Sequence, residues 1–176
     1  HMLVLNGGRE MANLADTPQQ LINFCSQWDG LTILAHPFDG LTEREVLAAN
    51  RAPLAPKRAD SFHSPLNSPW INWEIQNFTG IEILNLQSEY KMSEQRSGFG
   101  LSDLFLQSTG ADRLMHASLA ALQKWDEFLT KGRRVAAYCG SACVNFARWA
   151  SGRRLDILDE SHLFAAAKNH LYLSEP

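Results

Sequence analysis

Short apolar runs of strand-forming residues that alternate with helical segments are the feature that most constrains the fold of this chain. Residues 31–35 (LTILA) are apolar on both faces, as in an inner strand of a parallel sheet that is covered on both sides. Strand character recurs at residues 3–6, 81–85, 134–139 and 170–173. Because strands that alternate with helices form parallel sheets, the sequence predicts an α/β fold with a mainly parallel sheet.

The helical segments are indicated by start signals and by apolar residues at helical spacing. Thr17 followed by Pro18 predicts a helix start, and Thr42 with Glu45 has the form of a capping box for a short helix that ends near Asn50. Further helices are predicted over residues 112–130 and 161–169. The stripes predicted to be buried are Leu21, Ile22, Cys25 and Trp28 in the first helix, and Met115, Leu119, Leu122, Trp125 and Leu129 in the third.

A proline-rich stretch interrupts this alternation between residues 51 and 69, where four prolines stand among Ser, Asn and Arg. A segment of this length and composition predicts a long, mobile surface loop.

Composition and charge exclude several classes of protein. The chain has 176 residues, of which 45% are hydrophobic and 20% charged; we expect one globular domain over residues 3–176, with residues 1–2 interpreted as the remnant of a purification tag. A net charge of −3 does not indicate a nucleic-acid or anionic-membrane partner, and no apolar stretch reaches the roughly 18 residues of a membrane span. Three cysteines without a zinc-ligand pattern favour reduced thiols and a cytoplasmic location.

Chemistry-bearing side chains follow the predicted strands. Glu10 follows the first strand, His36 the second and Asn85 the third, and ligands of parallel α/β folds bind at the carboxyl ends of the strands. Pro37 disfavours the helical region for His36 and predicts an extended backbone there. Two interpretations of His36 stay open. In the first it is a metal ligand or general base; in the second it caps the strand end and forms a hydrogen bond with the next loop.

Several segments, in order along the chain, resemble the polymerase and histidinol phosphatase (PHP) family. Residues 30–38 (GLTILAHPF) are similar to its Ala-His-Pro motif, and residues 80–85 (GIEILN) to its Gly-Ile-Glu strand. Gly8-Arg9-Glu10 resembles the segment with the family's bridging glutamate. Residues 125–135 resemble the helix and strand before its Gly-Ser-Asp-x-His signature, and residues 162–173 resemble its last helix and strand.

The resemblance implies a distorted (β/α)7 barrel that binds divalent metal ions, of manganese, zinc, iron or magnesium, and hydrolyses phosphoesters with a metal-activated hydroxide. His36 would be a metal ligand and Glu10 a bridging carboxylate, whereas Glu82 and Asn85 are weaker ligand candidates. The substrate would be a phosphorylated small molecule.

Two departures from the family pattern point to a degenerate site. The chain contains no His-x-His pair, and residues 140–145 read Gly-Ser-Ala-Cys-Val-Asn, so that Ala142 and Val144 replace two metal ligands. We therefore expect an incomplete barrel, the C-terminal part of the family fold, with weak or no hydrolysis and metal ions held poorly or not at all. The alternatives are a non-catalytic binding or structural module, and a half-barrel whose open sheet is covered by a dimer mate or another chain.

Overall fold

In a computed structural model, the chain is described over residues 1–8, 15–39, 41, 69–89, 117–140, 146–150, 153–158 and 167–171. The elements in these ranges are β1 (Met2–Leu5), α1 (Pro18–Ser26), β2 (Leu31–Leu34), β3 (Gly80–Asn85), α2 (Leu119–Thr130), β4 (Ala136–Gly140), β5 (Phe146–Ala150) and β6 (Arg153–Leu158). None of the described helices is long and apolar enough to cross a membrane.

Two compact units divide the chain. The first comprises His1–Ile83 and Leu119–Tyr138, and the second comprises Leu84–Ser118 and Cys139–Pro176. The expectation of a single domain over residues 3–176 stays a prediction.

Four strands form one open sheet in the order β1-β2-β3-β4. β2 and β3 run parallel, with Leu34 beside Ile81, and the mixed α/β class with a mostly parallel sheet is confirmed. The first strand departs from this pattern because β1 is antiparallel to β2, with Leu5 beside Leu31. The left-handed residues Asn6 and Gly8, with φ of 56° and 72°, redirect the chain where β1 ends.

The sequence predicts the bounds of three strands well, but it does not predict every strand of the structure. β2, β3 and β4 begin and end within about two residues of their predicted bounds. The strand predicted over residues 170–173 is wrong at its start, since His170 and Leu171 are irregular. No pattern predicted the antiparallel β5–β6 hairpin, although Ser151-Gly152 between its strands is a recognisable turn signal.

Other predicted elements are only partly covered by the described residues. The helix predicted to end near Asn50 and the loop over residues 51–68 lie outside them. Residues 167–169, at the end of the predicted last helix, are irregular, and residues 161–166 lie outside the described ranges.

The main hydrophobic core of the first unit packs α1 and α2 against β2 and β3. Its buried members are Ile22, Leu34, Ile75, Phe78, Ile81, Phe128 and Val135. A second cluster joins Phe38 and Leu41 to Ala120 and Ala121 of α2. Burial of these side chains is the main favourable term in holding the helices to the sheet.

The face that α2 buries differs from the predicted one. Ala120, Ala121 and Phe128 are buried, whereas Leu119 and Leu129 are 61% and 42% exposed. The predicted stripe is confirmed in part, since Leu122 and Trp125 are half-buried and Trp125 packs against the main core. The small side chains of Ala120 and Ala121 pack in the cluster of Phe38 and Leu41, whereas the leucines near the two ends of the helix turn outward. In α1, Ile22 and Cys25 are buried as predicted, but Trp28 lies beyond the helix end and is 53% exposed.

Candidate functional site

The turn that follows β2 places His36 at the carboxyl end of this strand. The backbone of His36 is left-handed, with φ of 32°, so the extended conformation predicted from Pro37 is wrong. Two hydrogen bonds hold the turn: the main-chain N–H of His36 donates to the carboxylate of Glu82, and the N–H of Asp39 donates to the carbonyl of His36 at 3.0 Å. The bond to Glu82 comes from outside the local sequence and holds His36 in a conformation that the following proline disfavours.

Two buried carboxylates flank His36. Glu82 lies inside β3 and is 6% exposed, and Asp39 is 8% exposed. Oδ2 of Asp39 is 3.8 Å from Nδ1 of His36, whose side chain retains about a fifth of its exposure. At 3.8 Å the contact is longer than a hydrogen bond, so Asp39 acts on the imidazole through its charge. A neutral imidazole at this position can accept a proton or donate a lone pair to a ligand.

His1 also lies beside this site. Its ring centroid is 4.7 Å from that of His36, and its carbonyl accepts a hydrogen bond from the N–H of Ala35 at 3.1 Å. Burial lowers the pKa of the α-amino group of His1, an effect that the carboxylates of Asp39 and Glu82 oppose. The residue interpreted as a tag remnant therefore belongs, in this structure, to the surroundings of His36.

The structure brings together two of the four predicted site residues, His36 and Glu82. Asn85 ends β3, and its Oδ1 accepts hydrogen bonds from the main-chain N–H and the hydroxyl of Ser88, at 3.1 and 3.3 Å. Its side chain caps the helical turn at residues 86–89, whereas the resemblance made it a weak metal-ligand candidate.

Glu10 lies outside the described residues, and its role stays a prediction. The direction of β1 bears on the prediction that Glu10 lies near His36. Leu5, the last residue of β1, pairs with Leu31, the first residue of β2, whereas His36 follows the last. The carboxyl ends of β1 and β2 therefore point in opposite directions along the sheet, so their being strand ends is no reason to expect Glu10 beside His36.

Sequence reasoning missed Asp39, although a signal for it was present. Asp39 stands three residues after His36 and directly before Gly40, a spacing and a dipeptide that are typical of a tight turn. The turn between the two residues brings the carboxylate to the imidazole.

These side chains do not by themselves fit a metal centre. Within the described ranges, no group of three or more His, Cys, Asp or Glu residues is arranged to hold a metal ion. One oxygen of Glu82 accepts the hydrogen bond from the main chain of His36. The arrangement in this part of the chain fits proton transfer or hydrogen bonding by His36 better than it fits a cluster of several metal ions.

Cys25 is a further titratable group of the first unit, and it is not a candidate nucleophile. It is fully buried, and burial raises the pKa of its thiol. The thiolate is the reactive form of cysteine, so Cys25 is a core residue.

Comparison with known proteins gives no relative for this chain: no family model matches it, and no curated protein or solved structure is significantly similar to it.

Proposed function

We propose that this chain is a degenerate relative of the PHP phosphoesterases, an incomplete or distorted (β/α)7 barrel with weak or no hydrolysis that binds a phosphorylated small molecule. The observation that carries the proposal is the position of His36, at the carboxyl end of a parallel strand and flanked by the buried carboxylates of Asp39 and Glu82. The order of the PHP-like motifs along the sequence supports it.

Weak hydrolysis follows from the small number of donor atoms. Each divalent metal ion of a phosphoesterase needs several protein ligands to be held and to activate water. Ala142 and Val144 have no side-chain donor atoms, and one oxygen of Glu82 is engaged by the main chain of His36. His36 would then act on a phosphorylated ligand as a hydrogen-bonding or proton-accepting group.

A cytoplasmic location is part of the proposal. It is supported by the odd number of cysteines in the sequence and by the thiol of Cys25, which forms no disulfide.

Metal analysis tests the proposal directly. The protein is purified without chelators and dialysed, its metal content is measured, and hydrolysis of p-nitrophenyl phosphate is followed with added manganese. We expect less than stoichiometric metal and at most trace hydrolysis. The opposite result would be stoichiometric metal together with phosphatase activity that is abolished by His36→Ala. His170→Ala, at an exposed position, is the control and should leave that activity intact. Such a result would show a working enzyme instead.

A gain-of-ligand variant tests the PHP relationship itself. Ala142→Asp combined with Val144→His restores the two donors at the positions where the family has them. Manganese affinity, measured by isothermal titration, should rise in the double variant, because affinity increases with the number and charge of ligands. An affinity equal to that of the unmodified protein would contradict the assignment of residues 140–145 to the family's signature.

A second candidate function is supported by β1, an edge strand of the four-stranded sheet. Leu5 and its cross-strand neighbour Leu31 are 40% and 43% exposed, and Leu3 on the same face is 38% exposed. Residues 2–8 carry no formal charge, so two copies of β1 could pair without repulsion. The second candidate is therefore a half-barrel completed by a second copy of the chain, which would cover this edge.

Light scattering after size-exclusion chromatography separates the two candidates. Pairing through β1 would be supported if the protein is a dimer and Leu5→Lys converts it to a monomer. Leu119→Lys, on the exposed side of α2, is the control and should leave the dimer intact. A monomer over the whole concentration range would exclude it.

A further inference from the structure

We propose that Glu82 is a positioning residue that sets the backbone of His36 and is not itself a ligand of metal or substrate. This inference rests on the proposed function of His36 and assigns Glu82 a role different from the one implied by the PHP resemblance. The hydrogen bond from the main-chain N–H of His36 to the carboxylate of Glu82 carries the proposal.

The location of Glu82 shows why its carboxylate needs this bond. Glu82 lies within β3, which runs from Gly80 to Asn85, and only 6% of the residue is exposed. Burying an ionised carboxylate is costly unless hydrogen bonds replace those with water. An N–H donor to a charged acceptor forms one of the stronger hydrogen bonds available in proteins, so the bond compensates in part for the burial.

His36, in turn, needs a partner that fixes its backbone. A φ of 32° is unfavourable for a residue with a Cβ atom, and the following proline restricts the residue before it further. Such a conformation persists only where the surroundings determine it. Glu82 supplies the contact from β3. The main-chain N–H of Trp70 supplies another by donating to the carbonyl of Pro37 at 2.7 Å.

The division of roles follows from these contacts. Glu82 fixes the main chain of His36, and Asp39, with Oδ2 3.8 Å from Nδ1, is placed to orient the imidazole. A ligand at this site would meet the imidazole of His36, whose direction depends on both carboxylates.

The main-chain amide of His36 reports on this role directly in ¹H–¹⁵N NMR spectra. In Glu82→Leu, its proton resonance should move upfield, and its hydrogen exchange should accelerate about tenfold or more, the factor that corresponds to loss of a charge-assisted hydrogen bond. Glu82→Gln keeps an oxygen acceptor and should give a smaller shift. Glu74→Leu, a matched loss of charge at an exposed position, should leave the His36 amide unchanged.

Binding of inorganic phosphate, followed by the side-chain resonances of His36, separates this proposal from the proposed function. If the unmodified protein binds phosphate, Glu82→Leu should weaken binding about tenfold, equivalent to the same lost bond, and Glu82→Gln should weaken it less. Absence of binding to the unmodified protein would count against the proposed function alone, because the amide measurements still decide the role of Glu82.

An unchanged chemical shift and exchange rate of the His36 amide in Glu82→Leu would overturn the positioning role. If Glu82→Leu does not fold, Glu82→Gln decides: a neutral acceptor weakens the bond and must move the His36 amide upfield, while the amides of Ile33 and Leu34 stay in place. A Glu82→Gln spectrum without that movement would also overturn the proposal.

Discussion

The main-chain N–H of His36 donates a hydrogen bond to the carboxylate of Glu82, 46 residues later in the chain. The bond joins the turn after β2 to the interior of β3, where Leu34 and Ile81 already pair the two strands. A left-handed histidine before proline is thereby held next to two buried carboxylates.

Arg133 is expected to stabilise the first unit through packing rather than through an ion pair. Its guanidinium carbon is 4.8 Å from the ring centroid of Phe78 and 4.4 Å from that of Phe128, and Nη2 donates to the carbonyl of Ile75 at 2.9 Å. Burial lowers the pKa of Arg133. Replacing Arg133 with Met should lower the free energy of unfolding by about 2 kcal/mol, through loss of the cation–π contacts and the hydrogen bond.

Urea denaturation measures this effect, and the neighbouring residue provides the control. Arg134 is exposed, so Arg134→Met should change stability by less than about 0.5 kcal/mol. Equal midpoints for the two variants would contradict a structural role for Arg133.

The Glu127 carboxylate should contribute a small, pH-dependent stabilisation. Hydrogen bonds from Lys124 and Lys131 lower the pKa of Glu127, at 2.7 and 2.6 Å. Since the pKa is lower in the folded state than in the unfolded state, the stabilisation is present above the ordinary glutamate pKa of about 4.3. It is lost as the pH falls through the lowered value.

Comparison with Glu127→Gln isolates this contribution. The side chain of Glu127 is 40% exposed, so the difference in unfolding free energy at neutral pH should be below about 1 kcal/mol and should shrink in high salt. It should vanish in acid, below the lowered pKa. Asp126→Asn, at an exposed position of the same helix, is the control for a change of charge alone, and a difference that grows as the pH falls would reverse the sign expected here.

Thr17 should account for a measurable part of the stability of α1. Its hydroxyl accepts a hydrogen bond from the N–H of Gln20 at 3.3 Å, and the Gln20 side chain accepts one from the N–H of Thr17, also at 3.3 Å. Thr17→Ala should cost about 1 kcal/mol and should accelerate amide exchange in the first turn of α1. Thr17→Ser retains the hydroxyl and should retain most of the stability, and equal losses in the two variants would show that the hydroxyl is not the cause.

Gly30 should tolerate no side chain, because the backbone is packed against it. A Cβ atom there would lie 2.8 Å from the carbonyl oxygen of Cys25 and 3.1 Å from that of Asn6. Gly30→Ala should therefore lower the unfolding free energy by about 1–3 kcal/mol, as overpacking does in other cores.

Gly132 provides the comparison for this substitution. It is left-handed, with φ of 74°, and a Cβ atom there would contact nothing within 4 Å, so Gly132→Ala carries only the conformational cost of about 1–2 kcal/mol. Thermal unfolding of both variants measures the difference, and a stable Gly30→Ala would show that the turn before β2 can move.

The sequence by itself determined the elements whose causes are local. The capping box of Thr17 and Gln20 begins α1 where the pattern predicts it, and the apolar runs at β2 and β3 form strands within about two residues of their predicted bounds. The cap hydrogen bonds of α1 and the apolar patterning of β2 and β3 involve residues that are close together in the chain. The residues concerned are therefore visible in the printed sequence.

Only the tertiary structure decided the direction of β1, the buried face of α2 and the conformation of His36. An alternating strand pattern carries no direction, so the antiparallel pairing of Leu5 with Leu31 could not be predicted from it. Ala120 and Ala121 face the core because a neighbouring cluster approaches closely there, although the leucines beside them are more hydrophobic. At His36, the preference that Pro37 sets locally is overcome by a hydrogen bond to Glu82, which exists only once β2 and β3 have paired.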